Sequence, residues 1–125
     1  MRNIEILQPK KIEKGWGYEL VIHNEMNEYC GKILHFNDGG RGSLHYHVNK
    51  KETFYVTKGN FILITINPDN GDVIEKNLNE GDVVEINRGI AHRLEALQES
   101  EIFEVSTYDD VNDSYRIIGG DTQNC

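Results

Sequence analysis

The chain has 125 residues, a formal charge of −8 and 38% hydrophobic residues, which suits one globular domain with a core of its own. The acidic balance argues against nucleic acid or an anionic membrane surface as partner, since both need cationic contacts. It leaves room for a small anionic substrate held by a few local cations.

In chain order, residues 1–14 alternate weakly through Ile4, Ile6 and Ile12 around Pro9 and read as an N-terminal arm or edge strand. Residues 15–125 read as a single all-β domain. GWGYELVIH carries Trp16, Tyr18, Leu20 and Ile22 in step at period two, the mark of a strand. Asn24 to Glu28 form a turn, YCGKILHF the next strand, and NDGGRG a glycine-rich turn. ETFYVTKGNFILITI is two strands joined at Lys58-Gly59-Asn60, and NPDNGD is a strong hairpin signal before VIEKNL. GDVVEINRG, HRLEAL and SEIFEVSTY complete the set, with the strand lengths and spacing of a sandwich or barrel. No segment has a helical period. Cys30 and Cys125 give no disulfide framework. The N-terminal residues lack the apolar core of a signal peptide and no run approaches membrane-span length, so a cytoplasmic protein is expected.

Between the glycine-rich turn and Gly59 lie His45, His47 and Glu52. Side chains at i and i+2 of a strand share a face, so the two imidazoles project together and Tyr46 points away. Glu52 can add a carboxylate oxygen across a tight turn, and His92 in GIAHRLE is the candidate fourth ligand. Three nitrogens and one carboxylate suit one divalent ion of iron, manganese, zinc, nickel or copper, and leave positions open for substrate.

The spacing Gly39, His45, His47, Glu52, Gly59 matches G(X)5HXH(X)3,4E(X)6G at each specified position. Gly81, Gly89 and His92 match G(X)5PXG(X)2H(X)3N, with Asn87 where proline is usual and Ala96 where asparagine is usual. The chain therefore resembles the cupin superfamily. The resemblance implies a double-stranded β-helix, or jelly-roll barrel, in which the two motifs face one another and bring His92 to His45 and His47. Three further segments, KGWGYE, HRLEA and IFEVSTYDDVNDSYRIIGGD, resemble in the same order the cupin domain of type II mannose-6-phosphate isomerases. Lys11 or Lys14 stands where that family has a proline-flanked start, and its nucleotidyltransferase domain has no counterpart here.

On that resemblance the expected function is a metal-dependent sugar or sugar-phosphate isomerase or epimerase, moving a proton through a cis-enediol(ate). Glu104, set by alternation opposite Phe103 and Val105, is the candidate base, and Glu95 alternates away from His92. Arg88, Arg41 and Lys14 are candidates for an anionic group, with Arg93 on the barrel exterior. Tyr18 and Phe54, with Trp16 and Tyr55, are aromatic candidates for a sugar pocket or for core, while His23 and His35 fit no motif. The ligand set equally serves an iron dioxygenase, a metal-assisted lyase of a small organic acid, or a non-catalytic carbohydrate-binding cupin. A homodimer is expected, with the N-terminal arm contributing.

Overall fold

The computed structural model describes residues 3–121. Its strands are β1 (Lys10–Lys14), β2 (Gly17–Asn24), β3 (Cys30–Phe36), β4 (Leu44–Tyr46), β5 (Glu52–Lys58) and β6 (Asn60–Ile66). They continue with β7 (Val73–Asn79), β8 (Val83–Ile86), β9 (His92–Ala96), β10 (Ser100–Ser106) and β11 (Tyr115–Ile118), and Val111–Asp113 form a short 3-10 helix. All strand pairings are antiparallel, in a six-stranded sheet of order β1-β2-β3-β10-β5-β8 and a five-stranded sheet of order β11-β4-β9-β6-β7. This is the all-β jelly-roll barrel expected from the sequence.

Alternation decides what faces inward. Glu52, Phe54 and Val56 of β5 are buried, and so are Ile102, Glu104 and Ser106 of β10, while Tyr55 and Val105 are exposed. Phe36, Val56, Phe61, Leu63 and Ile102 anchor the core, and Trp16 stacks on Phe36 with ring centroids 4.1 Å apart. The outer edges, β1 (KKIEK) and β7 (VIEKNLN), are charged, which blunts pairing with stray strands.

The motif glycines make the turns. Gly59 has φ +77°, and a Cβ there would meet Ser100 Oγ at 2.1 Å. Gly17 has φ +149°, and a Cβ would stand 1.9 Å from the His35 carbonyl oxygen, so β2 and β3 approach closely only because this position has no side chain. The N-terminal stretch forms an edge strand only from Lys10 onward. Strand β11 goes beyond the expected set: YRII follows a polar run and all four of its residues are exposed.

Candidate metal centre

Strand β4 ends at Tyr46, so His47 begins the turn that leads to Glu52. His45 pairs in register with His92 of the neighbouring strand. The imidazole centroids lie 4.9 Å (His45–His47), 4.6 Å (His45–His92) and 5.9 Å (His47–His92) apart. One ring nitrogen from each of the three lies within 4.8 Å of the others, an arrangement that could hold a metal ion. Tyr46 turns to the opposite face and stacks on Tyr115 at 5.2 Å.

The orientation of the rings is set from behind. Nδ1 of His47 lies 2.8 Å from the Asp113 carbonyl, that of His92 lies 3.0 Å from the Ile90 carbonyl, and that of His45 lies 3.1 Å from the Ser43 carbonyl. A carbonyl only accepts, so each Nδ1 donates and each Nε2 is left with its lone pair. Glu52 Oε2 lies 3.0 Å from His92 Nε2 and 3.8 Å from His47 Nε2, and it is buried with no hydrogen-bond partner. The carboxylate oxygen and the imidazole nitrogens thus converge on one point, a donor set that suits a divalent cation. The residues present fit one divalent ion.

Electrostatics agree. Burial, and then the neighbouring imidazoles of His92 and His47, hold the His45 pKa down to about 3, so the ring is neutral and free to act as a ligand. Burial opposes ionisation of Glu52, yet its contacts with His92 and Lys50 keep it below the usual carboxylate range.

Behind Glu52 runs a chain of buried charges. Lys50 Nζ reaches Glu52 Oε1 and Glu104 Oε2, both at 2.9 Å, and Asp109 Oδ1 at 3.2 Å. Asp109 Oδ2 meets Lys32 Nζ at 2.5 Å, and Lys32 meets Glu19 at 3.3 Å. Burial works against both ammonium groups, but the carboxylates around them raise both pKa values, so Lys32 and Lys50 are charged. Four carboxylates against two ammonium groups leave a formal charge that one divalent cation neutralises. Burial, and less strongly the Glu52 charge, raises the Glu104 pKa against the pull of Lys50.

Asp113 fastens the turn between His47 and Glu52. Its carboxylate accepts hydrogen bonds from the backbone N–H groups of Val48 (2.9 Å), Asn49 (3.0 Å) and Lys50 (3.1 Å). One buried side chain thereby sets the path of the chain between His47 and Glu52.

These groups open on a cavity of about 700 Å³, a size suited to a small molecule. Its charged wall holds Glu19, Lys32, Lys50, Glu104 and Asp109, and Trp16, Leu34, Phe36, Phe54 and Leu94 form the apolar wall. Of the residues singled out in the sequence, His45, His47, Glu52, His92, Glu104, Lys14 and Phe54 all line it. Tyr18 does not: it faces outward, stacked on His35 at 4.8 Å beneath Lys11. Arg88 is spent on the Asn49 carbonyl at 2.8 Å, and exposed Arg41 faces Glu95 and Asp121 at 3.9 Å, both outside the cavity. Arg93 is on the exterior side as expected, but buried, because its guanidinium donates to the Gly42 and Gly119 carbonyls at 2.8 and 2.9 Å. Sequence reading passed over Lys32, Lys50, Asp109 and Asp113. Lys32 did carry a signal, since it shares inward parity with Leu34 and Phe36, as Lys50 does with Glu52.

Among solved structures, the capsular polysaccharide assembling protein CapF of Staphylococcus aureus is similar at TM-score 0.74 and 19% identity, over 88% of this chain and 32% of its own. Oxalate decarboxylase of Bacillus subtilis is similar at TM-score 0.72 and 21% identity, over 87% of this chain and 30% of its own. The chain thus spans about a third of the length of these relatives, and at such identity the likeness concerns the fold. No curated protein sequence matches. The cupin family model matches residues 31–121, well over half of the chain and spanning both histidine motifs, and the chain belongs to the cupin family.

Proposed function

We propose that this protein is a metal-dependent isomerase or epimerase of a small sugar or sugar phosphate, with Glu104 as the base. The observation that carries this reading is a second carboxylate, outside the ligand set, buried in the same cavity and joined to Glu52 through Lys50. A divalent ion held by His45, His47, His92 and Glu52 supplies polarisation of a bound carbonyl, which acidifies the adjacent C–H. Glu104 takes that proton and returns it to the neighbouring carbon, ending ionised as it began. Burial raises its proton affinity for this task, and Ser106 Oγ, donating to Oε2 at 2.9 Å, fixes the carboxylate. Lys50 stays charged and keeps the two carboxylates apart in role. The apolar wall covers the carbon faces of the substrate and excludes water. Support for a sugar phosphate comes from the three segments that resemble mannose-6-phosphate isomerases.

The test is proton NMR in D2O with metal-loaded protein and a panel of hexose and pentose phosphates. Deuterium should enter at C1 or C2 of the responding sugar and stop doing so in Glu104→Gln. No exchange with any sugar across the iron, manganese, zinc and nickel forms would refute the reading.

The same proposal includes a homodimer. On the outer face of the six-stranded sheet, Leu20, Ile33, Phe103, Tyr55 and Val83 stand side by side in register on five adjacent strands. The arm before β1, at the edge of that sheet, exposes Ile4, Ile6 and Leu7. A second copy packed about a two-fold axis covers both apolar surfaces at once.

A further inference from the structure

Of the cations lining the cavity, Lys32 and Lys50 are consumed by carboxylates. Lys14 and Arg116 are not: neither side chain has an ion pair or hydrogen bond among the described residues, and both are exposed where they line the cavity. Lys14 lies on β1 and Arg116 on β11, one on each sheet. Arg116 is the cross-strand partner of His45, which is itself the partner of His92, so the three occupy one row on the inner face. Cross-strand partners project side by side about 5 Å apart, which sets Arg116 one strand beyond the histidines. Unpaired guanidinium and ammonium groups at the rim of a cavity, beside the candidate metal centre, attract an oxyanion.

We infer that Arg116, assisted by Lys14 from the opposite sheet, is an anion-binding site, so that the substrate is a small hydroxylated molecule whose phosphate or carboxylate sits at the cavity rim, one strand beyond the histidines. This rests on the cavity being the substrate site, but not on the proton-transfer chemistry. The other arginines considered from sequence are committed elsewhere, Arg88 and Arg93 to backbone carbonyls and Arg41 to exposed carboxylates.

The experiment is titration calorimetry on the manganese-loaded full chain with three matched sets: hexose 6-phosphates, the parent hexoses and the corresponding hexuronates. At least one anionic set should bind tenfold or more tighter than the neutral parent. That preference should fall below threefold in Arg116→Ala and Arg116→Gln, survive in part in Arg116→Lys, and weaken in Lys14→Ala. Arg41→Ala, a charge-matched change outside the cavity, should leave it intact, and metal content should stay stoichiometric throughout. Which anionic set carries the preference identifies the group as phosphate or carboxylate. Equal binding of neutral and anionic sugars, no binding of any, or a preference that survives removal of both Arg116 and Lys14 would overturn the inference. An anion preference without deuterium exchange keeps this site and removes the isomerase reading; exchange of neutral sugars without anion preference does the reverse.

Discussion

Replacing Asp113 with alanine tests whether one carboxylate holds the ligand turn in place. The change removes the acceptor for three backbone N–H groups at 2.9–3.1 Å. Val48 and Asn49 are exposed, so water takes over there, and each of those bonds is worth roughly 1 kcal/mol. Lys50 is buried, and its N–H, left without an acceptor, costs about 1–3 kcal/mol. We therefore expect the metal-free protein to lose about 3–5 kcal/mol, or at least roughly 10 °C in Tm for a chain of this length. The Asp113 carbonyl also orients His47, so a displaced helical turn should weaken metal binding by about tenfold or more. Urea denaturation gives the first quantity and a chelator competition titration the second. Asp113→Asn, which keeps one acceptor oxygen, should fall between the two proteins. An alanine variant within about 0.5 kcal/mol of wild type, with unchanged metal affinity, would refute the argument.

Gly17→Ala should cost more than about 3 kcal/mol, because a methyl group 1.9 Å from a backbone oxygen separates β2 from β3; an unchanged melting temperature would count against this. Burial opposes ionisation of Asp109, but Lys50 and Lys32 lower its pKa from 3.8 to about 2, so its contribution of about 2 kcal/mol is fully present above pH 4 and is lost as pH falls towards 2. Asp109→Asn should remove that part of the acid limb in denaturation measured against pH, and an identical limb in the variant would dismiss the assignment. Phe103→Glu, at the centre of the apolar outer row, should turn the proposed dimer into a monomer in sedimentation equilibrium while leaving the fold intact, whereas a monomeric wild-type protein would dispose of the interface.

Strands β2 to β10 and the clustering of His45, His47 and His92 were legible because their signals are local. Period two, a glycine at each turn and the motif spacing around His45 and His92 need no knowledge of the fold. The supporting groups were not, since their meaning lies in contacts across the chain: Asp113 bonds to residues 63–66 positions away, and Lys32 meets Asp109 across 77. In isolation DDVNDSY is a polar run and NKKE a solvated one. Only the barrel buries one lysine of that pair beside Glu52 and leaves Lys51 outside. Arg116 was hidden for a related reason, as its place beside His45 depends on the register of a strand that sequence periodicity does not reveal.

The sheet order also separates two kinds of residue by how easily they change. His45, Glu52 and His92 sit on β4, β5 and β9, each hydrogen-bonded on both sides, whereas Lys14 and Arg116 sit on β1 and β11, the terminal strands of their sheets. A substitution on an interior strand disturbs two neighbours; one on a rim strand disturbs a single neighbour and faces water. Selection can therefore edit the borders of this cavity while the histidine cluster passes unaltered from one descendant to the next.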